Sequence, residues 1–248
     1  MLLICVCPVL TALFSYNRIK FMKKHAKILA AALVSFISAA AISAQAITTA
    51  SAYFKTVSEY YATLKDYEAD FDIRADKRDM SGKVSYKKPD LLRMDFTSPA
   101  DQVIVFNGDL LTVYLPEEAA VLQQSVKTEG SGNAANLNTA QGLSLLSRYY
   151  VVAYEVGQEP LPLEEGSSEK VVKLILSRRN SSEAFRYIKL AINADTKLIR
   201  RVEAATSHGE TFVFNFTGYK VNSDISDQRF IYDPPSSANN YNNFLFSE

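Results

Sequence analysis

The chain of 248 residues has no tryptophan, two cysteines, two histidines and nine glycines, and its acidic and basic side chains balance to a formal net charge of +0. Each shortage removes a class of explanation. Cys5 and Cys7 both lie ahead of the first patterned segment, so the rest of the chain has no disulfide framework and must be held by a packed core. His208, in Ser207-His208-Gly209, has neither a nucleophile nor metal-ligand companions at a useful spacing, which argues against a triad and against a zinc site. No Gly-rich phosphate loop is present, and the acidic pairs Glu117-Glu118, Glu164-Glu165 and Asp224/Asp227 read as solvated loop charge. We therefore expect no catalytic residue, no metal and no cofactor. The balanced charge makes neither nucleic acid nor an anionic membrane the natural partner. No linker and no fixed-period repeat divides residues 47–248, which read as a single domain.

The N-terminus sets an expectation for the compartment. Lys23, Lys24, His25 and Lys27 form a basic start, Ile28 to Ile42 is an Ala-rich apolar run, and Ala44-Gln45-Ala46 is a small-residue cleavage signal. Residues 22–46 thus read as a secretory signal peptide. Residues 1–21 read as an extension ahead of the true start at Met22. The apolar run is short for a membrane span and Ser35 and Ser38 interrupt it, so a cleaved leader and a soluble extracytoplasmic product are expected.

After the leader, apolar spacing is first helical. Tyr53, Val57, Tyr60 and Leu64 recur at three to four, widened by Phe54 and Tyr61, with Lys55, Glu59, Lys65 and Asp66 facing away. From Tyr67 the period becomes two. Strands are expected over Tyr67–Arg78, Met80–Lys87, Leu92–Phe96, Gln102–Asn107, Leu110–Leu115 and Ala120–Val126, with Asn107-Gly108 suiting a type I′ hairpin turn. A short helix follows with Leu143, Leu146 and Tyr150 on one side, and strands return at Lys170–Arg178, Phe185–Asn193, Leu198–Ala205 and Glu210–Lys220. Along Leu92, Met94 and Phe96, and again along Phe212, Phe214 and Phe216, one strand face is apolar throughout, with Arg93 and Asp95 turned the other way. Few helices must cover a long one-sided sheet. The expected fold is therefore mainly β (α+β), a curved, incompletely closed antiparallel β-barrel with a lid of short helices over its apolar concave face. On this patterning alone the apolar side chains fill one another as ordinary core.

One block is more telling than the rest: Gly82-Lys-Val-Ser-Tyr-Lys-Lys-Pro89, Leu92-Arg-Met-Asp-Phe96, Pro99, Gln102-Val-Ile-Val-Phe-Asn-Gly108, Leu111-Thr-Val-Tyr114-Leu-Pro116 and Gln123-Gln124. In order and spacing it resembles the periplasmic outer-membrane lipoprotein carrier family. Asn138-Thr139-Ala140 leading into Leu145-Leu146, and Phe230-x-Tyr232-x-Pro234-Pro235, are similar to that family's later helix and terminal strand. The family's usual tryptophans are absent, with Met94 and Val113 in their places, and Lys88 stands where the family usually has Arg.

The resemblance implies a periplasmic shuttle that shelters lipoprotein acyl chains between the inner and outer membranes. It implies an acyl-chain cavity lined by Met94, Phe96, Leu111, Val113, Leu115, Leu143, Leu146, Phe212, Phe214 and Phe216. Tyr53, Val57, Tyr60 and Leu64 would form the lid, and Lys88 would latch it against helix backbone. Acylated lipoproteins, an inner-membrane ABC-type lipoprotein-releasing transporter and an outer-membrane lipoprotein acceptor are the implied partners of a monomer. For Lys88 the alternative is an ordinary solvated charge before a proline turn. For the whole chain the alternatives are a lipid- or lipoprotein-sensing module of envelope-stress signalling and a structural β-protein with a filled core. The Asn-rich tail from Ser236 docks as an edge strand, meets a partner or stays free, and its composition does not choose.

Overall fold

The structure, a computed structural model, describes residues 47–75, 78–125 and 140–243. The expected signal peptide and preceding extension, the Gly130 to Asn133 cluster, and Phe244 and Phe246 lie outside the described residues. Helix α1, Ala50–Thr63, opens on Thr49, whose hydroxyl accepts the Ala52 N–H at 3.1 Å and so satisfies one of the donors a helix start leaves bare. Its buried stripe is Ala50, Phe54, Val57, Ser58 and Tyr61. Tyr53 and Tyr60 flank that stripe half-buried, and Leu64 is buried just past the helix end. Helix α2 spans Ala140–Tyr149.

Thirteen strands form one sheet among the described residues. The first meander is β1 (Asp66–Ala75), β2 (Arg78–Lys87), β3 (Leu91–Ser98), β4 (Val103–Phe106), β5 (Leu110–Leu115) and β6 (Ala120–Ser125). The second, after α2, is β7 (Tyr150–Tyr154), β8 (Leu161–Pro162), β9 (Lys170–Arg178), β10 (Phe185–Asn193), β11 (Ile199–Thr206) and β12 (Thr211–Val221). Pairing of β1 with β12 joins the two meanders side by side. The tail does dock as an edge strand: β13, Asn239–Asn242, runs parallel to β6, in an otherwise antiparallel sheet. The order is β13-β6-β5-β4-β3-β2-β1-β12-β11-β10-β9-β7, with β8 also on β9, so the sheet remains open rather than closing into a barrel.

Directly opposed residues on neighbouring strands share a face, so the registers trace apolar ribs across the sheet. Val84, Met94, Ile104, Val113 and Leu122 make one across β2 to β6. Met80, Ile73, Phe214, Val202, Leu190, Leu174 and Tyr154 make another across seven strands. The opposite face pairs Lys189 with Glu155 at 2.8 Å and Lys83 with Asp70 at 2.9 Å, and over β4 and β6 it buries Val103, Val105 and Val121. Over β2 and β3 that outer face is strapped by the chain leaving β12. Arg93 donates to the Arg229 carbonyl at 3.1 Å, Arg229 pairs with Asp95, and Phe230 is buried at the 3-10 turn Asp227–Phe230. Arg93 and Asp95 are thus outer-face residues holding the C-terminal segment.

Three expectations change and one alternative narrows. Tyr150 begins β7 instead of ending the helix, and β7 itself carries no local signal because Tyr150-Val-Val-Ala-Tyr154 follows α2 with no Gly or Pro break. Asp66 does not face solvent but is 1% exposed, its Oδ1 accepting the Ser223 N–H at 2.8 Å. The 106–111 hairpin turns on Gly108-Asp109, with only Gly108 at positive φ (100°), as at the first central position of a type II′ turn and unlike type I′. Asn107 instead folds its side chain inward, Oδ1 accepting the Asp109 and Leu110 N–H groups at 3.1 and 2.9 Å. Finally, Lys88, read as either a latch or a solvated charge, is exposed and donates its ammonium to helix backbone.

Candidate lipid-binding face

The helices divide the apolar face unequally. Phe54, Val57 and Tyr61 of α1 and Leu143 and Leu146 of α2 belong to one buried cluster with Phe71, Leu174, Leu176, Ile188, Leu190 and Ile192. Those strand residues come from β1, β9 and β10, and the same cluster takes in Val84 and Tyr86 of β2 and Phe96 of β3, while β7 is the strand lying against both helices. Across the first meander the inner face is only half-buried at Met94, Ile104, Val113 and Leu122, and at Leu92, Phe106 and Leu111 in the neighbouring rib. Of the expected cavity residues, Phe96, Leu143, Leu146 and Phe216 lie in the buried cluster and Met94 and Phe214 pack against it. Leu111, Val113, Leu115 and Phe212 stay half-buried outside it. Ile104, Phe106 and Leu122 belong to the same surface and were missed. Their alternation was visible in Gln102–Asn107 and Ala120–Val126, but which parity faced inward was not.

Beneath the lid the structure is closed. A cavity of about 20 Å³ is lined by Tyr61, Tyr67, Leu143, Leu146, Phe216, Tyr219 and their neighbours, space for about one water-sized guest. Three of those residues are tyrosines whose rings stack edge to face or tilted, Tyr61 against Tyr67 at 6.2 Å and Tyr67 against Tyr219 at 5.8 Å. Burial pushes the Tyr61 hydroxyl up to about 12 and raises those of Tyr67 and Tyr219 well above the ordinary value. All three are neutral at physiological pH.

The end of α1 is held from several sides. Lys88 Nζ donates to the Ala62 carbonyl in the last turn, where the helix dipole favours a cation. The Lys88 N–H donates to the Lys65 carbonyl at 2.9 Å, and Asn222 Oδ1 accepts the Lys65 N–H at 2.8 Å. At the start of α1, Tyr154 donates its hydroxyl to the Thr48 carbonyl at 2.8 Å and Gln158 accepts the Thr48 N–H at 3.1 Å.

An apolar inner face under two helices is the architecture the sequence resemblance implied, and comparison with known proteins decides the family. The family model for outer membrane lipoprotein carrier protein LolA matches residues 63–233. The chain belongs to that family. An outer-membrane lipoprotein carrier protein of Actinobacillus pleuropneumoniae (serotype 7, strain AP76) is 26% identical over 216 residues, covering 84% of this chain and 97% of the relative. That of Coxiella burnetii (strain CbuK_Q154) is 24% identical over 153 residues, covering 62% of this chain and 66% of the relative. Among solved structures, an uncharacterized conserved protein from Thermus thermophilus superposes with a TM-score of 0.51 at 14% identity, covering 76% of this chain and 96% of that one. That likeness supports the fold of the family and nothing finer. The family's block from Gly82 to Gln124 occupies β2 to β6, the half of the sheet whose inner face the lid leaves half-covered.

Proposed function

We propose that this chain is a periplasmic carrier that binds lipoproteins by their acyl chains and moves them from the inner to the outer membrane. The observation that carries the reading is the apolar rib that is buried at Val84 and half-covered at Met94, Ile104, Val113 and Leu122 on the inner face of an open sheet. A face of that kind has to meet apolar material, and fatty chains need such a partner: each CH₂ left in water costs about 0.8 kcal/mol, which makes bare release of a multiply acylated protein prohibitive. The function is binding and release. An inner-membrane ABC-type transporter would load the carrier and an outer-membrane acceptor would unload it.

The closed cavity under α1 is consistent with an empty form, in which Met94, Phe96, Leu143, Leu146, Phe214 and Phe216 approach one another in place of cargo. Loading lifts α1 from Leu143 and Leu146 and lets acyl chains run over the ribs towards Leu111, Val113, Leu115 and Phe212. Part of the binding free energy is then used to open the lid, which keeps affinity low enough for release. Native mass spectrometry of the protein isolated from its own periplasm should show acylated cargo that departs on addition of outer-membrane vesicles. A protein that arrives empty and also fails to bind a fluorescent fatty acid would end this reading.

In this scheme Lys88 is the latch, and its contact with the Ala62 carbonyl supplies the motive. An exposed ammonium on a carbonyl is a modest hold, without the paired donors of a guanidinium. Lys88→Met should tighten binding of a fluorescent fatty acid by about threefold, and Lys88→Arg should weaken it, because only the closed form loses or gains the contact. Equal affinity in all three proteins would return Lys88 to an ordinary surface role.

A further inference from the structure

On β11 the Ile199 N–H and carbonyl are met by side chains instead of by β12. Pairing of β11 with β12 runs from Ala205 opposite Thr211 to Arg201 opposite Asn215 and stops there. β12 then departs: its register against β1 slips by one residue between Thr217 and Lys220, with Gly218 at φ 61°. An L side chain at Gly218 would be strained by that φ, and its Cβ would stand 2.7 Å from Asp70 Oδ2, so the bulge needs glycine. The bulge leaves Ile199 without a β12 partner and brings Tyr219 alongside it. Two hydroxyls take the vacant ladder positions. The Ile199 N–H donates to the Tyr61 hydroxyl at 3.0 Å, and the Tyr219 hydroxyl donates to the Ile199 carbonyl at 2.8 Å.

The two tyrosines differ in what carries them. Tyr219 belongs to the sheet, whereas Tyr61 is on the last turn of α1, one residue before the carbonyl that Lys88 holds. Any movement that lifts α1 from the sheet withdraws the Tyr61 oxygen and leaves the Ile199 N–H facing the apolar cavity that Tyr61, Leu143, Leu146 and Phe216 line. A buried donor without an acceptor is costly, so an open form is favoured when something else supplies an oxygen there. Hydrocarbon supplies none. The carbonyl of an ester or amide at the head of an acyl chain supplies one, and it arrives attached to the apolar tail that fills the space α1 vacated.

We propose that the Ile199 N–H is an exchangeable anchor, held by the Tyr61 hydroxyl in the closed form and by the carbonyl oxygen of an acyl ester or amide in the loaded form. This rests on the carrier reading and adds to it a point of chemical recognition: the site takes acyl groups in preference to alkyl chains of equal length. Tyr61 is the positioning residue whose oxygen the ligand replaces.

Monopalmitoylglycerol and its hexadecyl ether analogue share a head group and chain length and differ in the carbonyl, so wild-type protein alone tests the anchor. The ester should bind about tenfold more tightly, the value of one buried hydrogen bond to a neutral acceptor. The Ile199 amide should exchange slowly in the free protein and with the ester, and faster with the ether. Tyr61→Phe keeps the ring and should tighten both probes by about fivefold while preserving the ratio between them, because the hydroxyl contacts it removes, to the Ile199 N–H and to Tyr219, are ones α1 makes only when closed. Equal affinity of ester and ether overturns the anchor while the carrier reading stands. Binding of neither probe, to wild type or to Tyr61→Phe, overturns both.

Discussion

Gly82→Ala should lose at least about 3 kcal/mol of stability, enough to unfold a domain of ordinary margin partly at physiological temperature. The position sits in the third inner-face rib, between Phe96 on β3 and Phe71 on β1. With no side chain in between, the two rings meet across it, 5.0 Å apart and nearly perpendicular. A Cβ added to Gly82 would stand 2.1 Å from the Asp95 carbonyl oxygen and 2.8 Å from both Phe71 Cζ and the Phe96 Cα. Two of those three atoms are backbone, so a rotamer change does not relieve the clash; β2 and β3 must part where the register already slips. Gly157, with nothing within 4 Å of its added Cβ, is the matched control and Gly157→Ala should stay within about 0.5 kcal/mol of wild type. Urea unfolding followed by far-UV circular dichroism and tyrosine emission measures both. A Gly82→Ala midpoint equal to that of Gly157→Ala would show that the ribs are not packed as described.

The second large effect is an alkaline collapse driven by the tyrosines beneath the lid. Tyr61 is held at about 12, against about 10 in an unfolded chain, and Tyr67 and Tyr219 are also raised well above the ordinary value, in each case chiefly by burial. Because the folded-state values lie above the unfolded ones, their contribution is complete below about pH 10 and is lost as pH rises through about 12. For Tyr61 alone this corresponds to about 3 kcal/mol, and the burial of Tyr67 acts in the same direction. The expected result is a late phenolate absorbance wave that coincides with cooperative loss of the far-UV signal. Reversible titration of every tyrosine near pH 10 with the fold intact would contradict this burial.

The same tyrosines show where single-sequence reasoning ends. Tyr61 was visible only as a widening of the α1 stripe, since helical period says which side is apolar and not which backbone group lies opposite. Its contact with Ile199 depends on a residue 138 positions away and on a bulge near Gly218 that no local pattern announces. Asp66 was misread for a related reason: at the junction of helix and strand, its burial depends on Asn222 and Ser223 returning to it. Polar β13 had no alternation to mark it; the edge of β6 specified its place.

Strand identity was another matter, because turn chemistry and two-residue alternation are local. Lys170–Arg178 and Phe185–Asn193 were legible to the residue, and so was the existence of one apolar face in need of cover. The family block was legible too, since its glycine, prolines and Asn-Gly answer to backbone geometry. Short-range patterning therefore determined the mainly β architecture, the sidedness of the sheet and the family. Tertiary structure alone decided that the helices lie against β7, that Met94 to Leu122 stays half-covered, and that Lys88 and Ile199 hold the same helical turn. Those outcomes depend on registers and contacts between segments far apart in sequence, where the free energies of alternative pairings differ by packing that no local window contains.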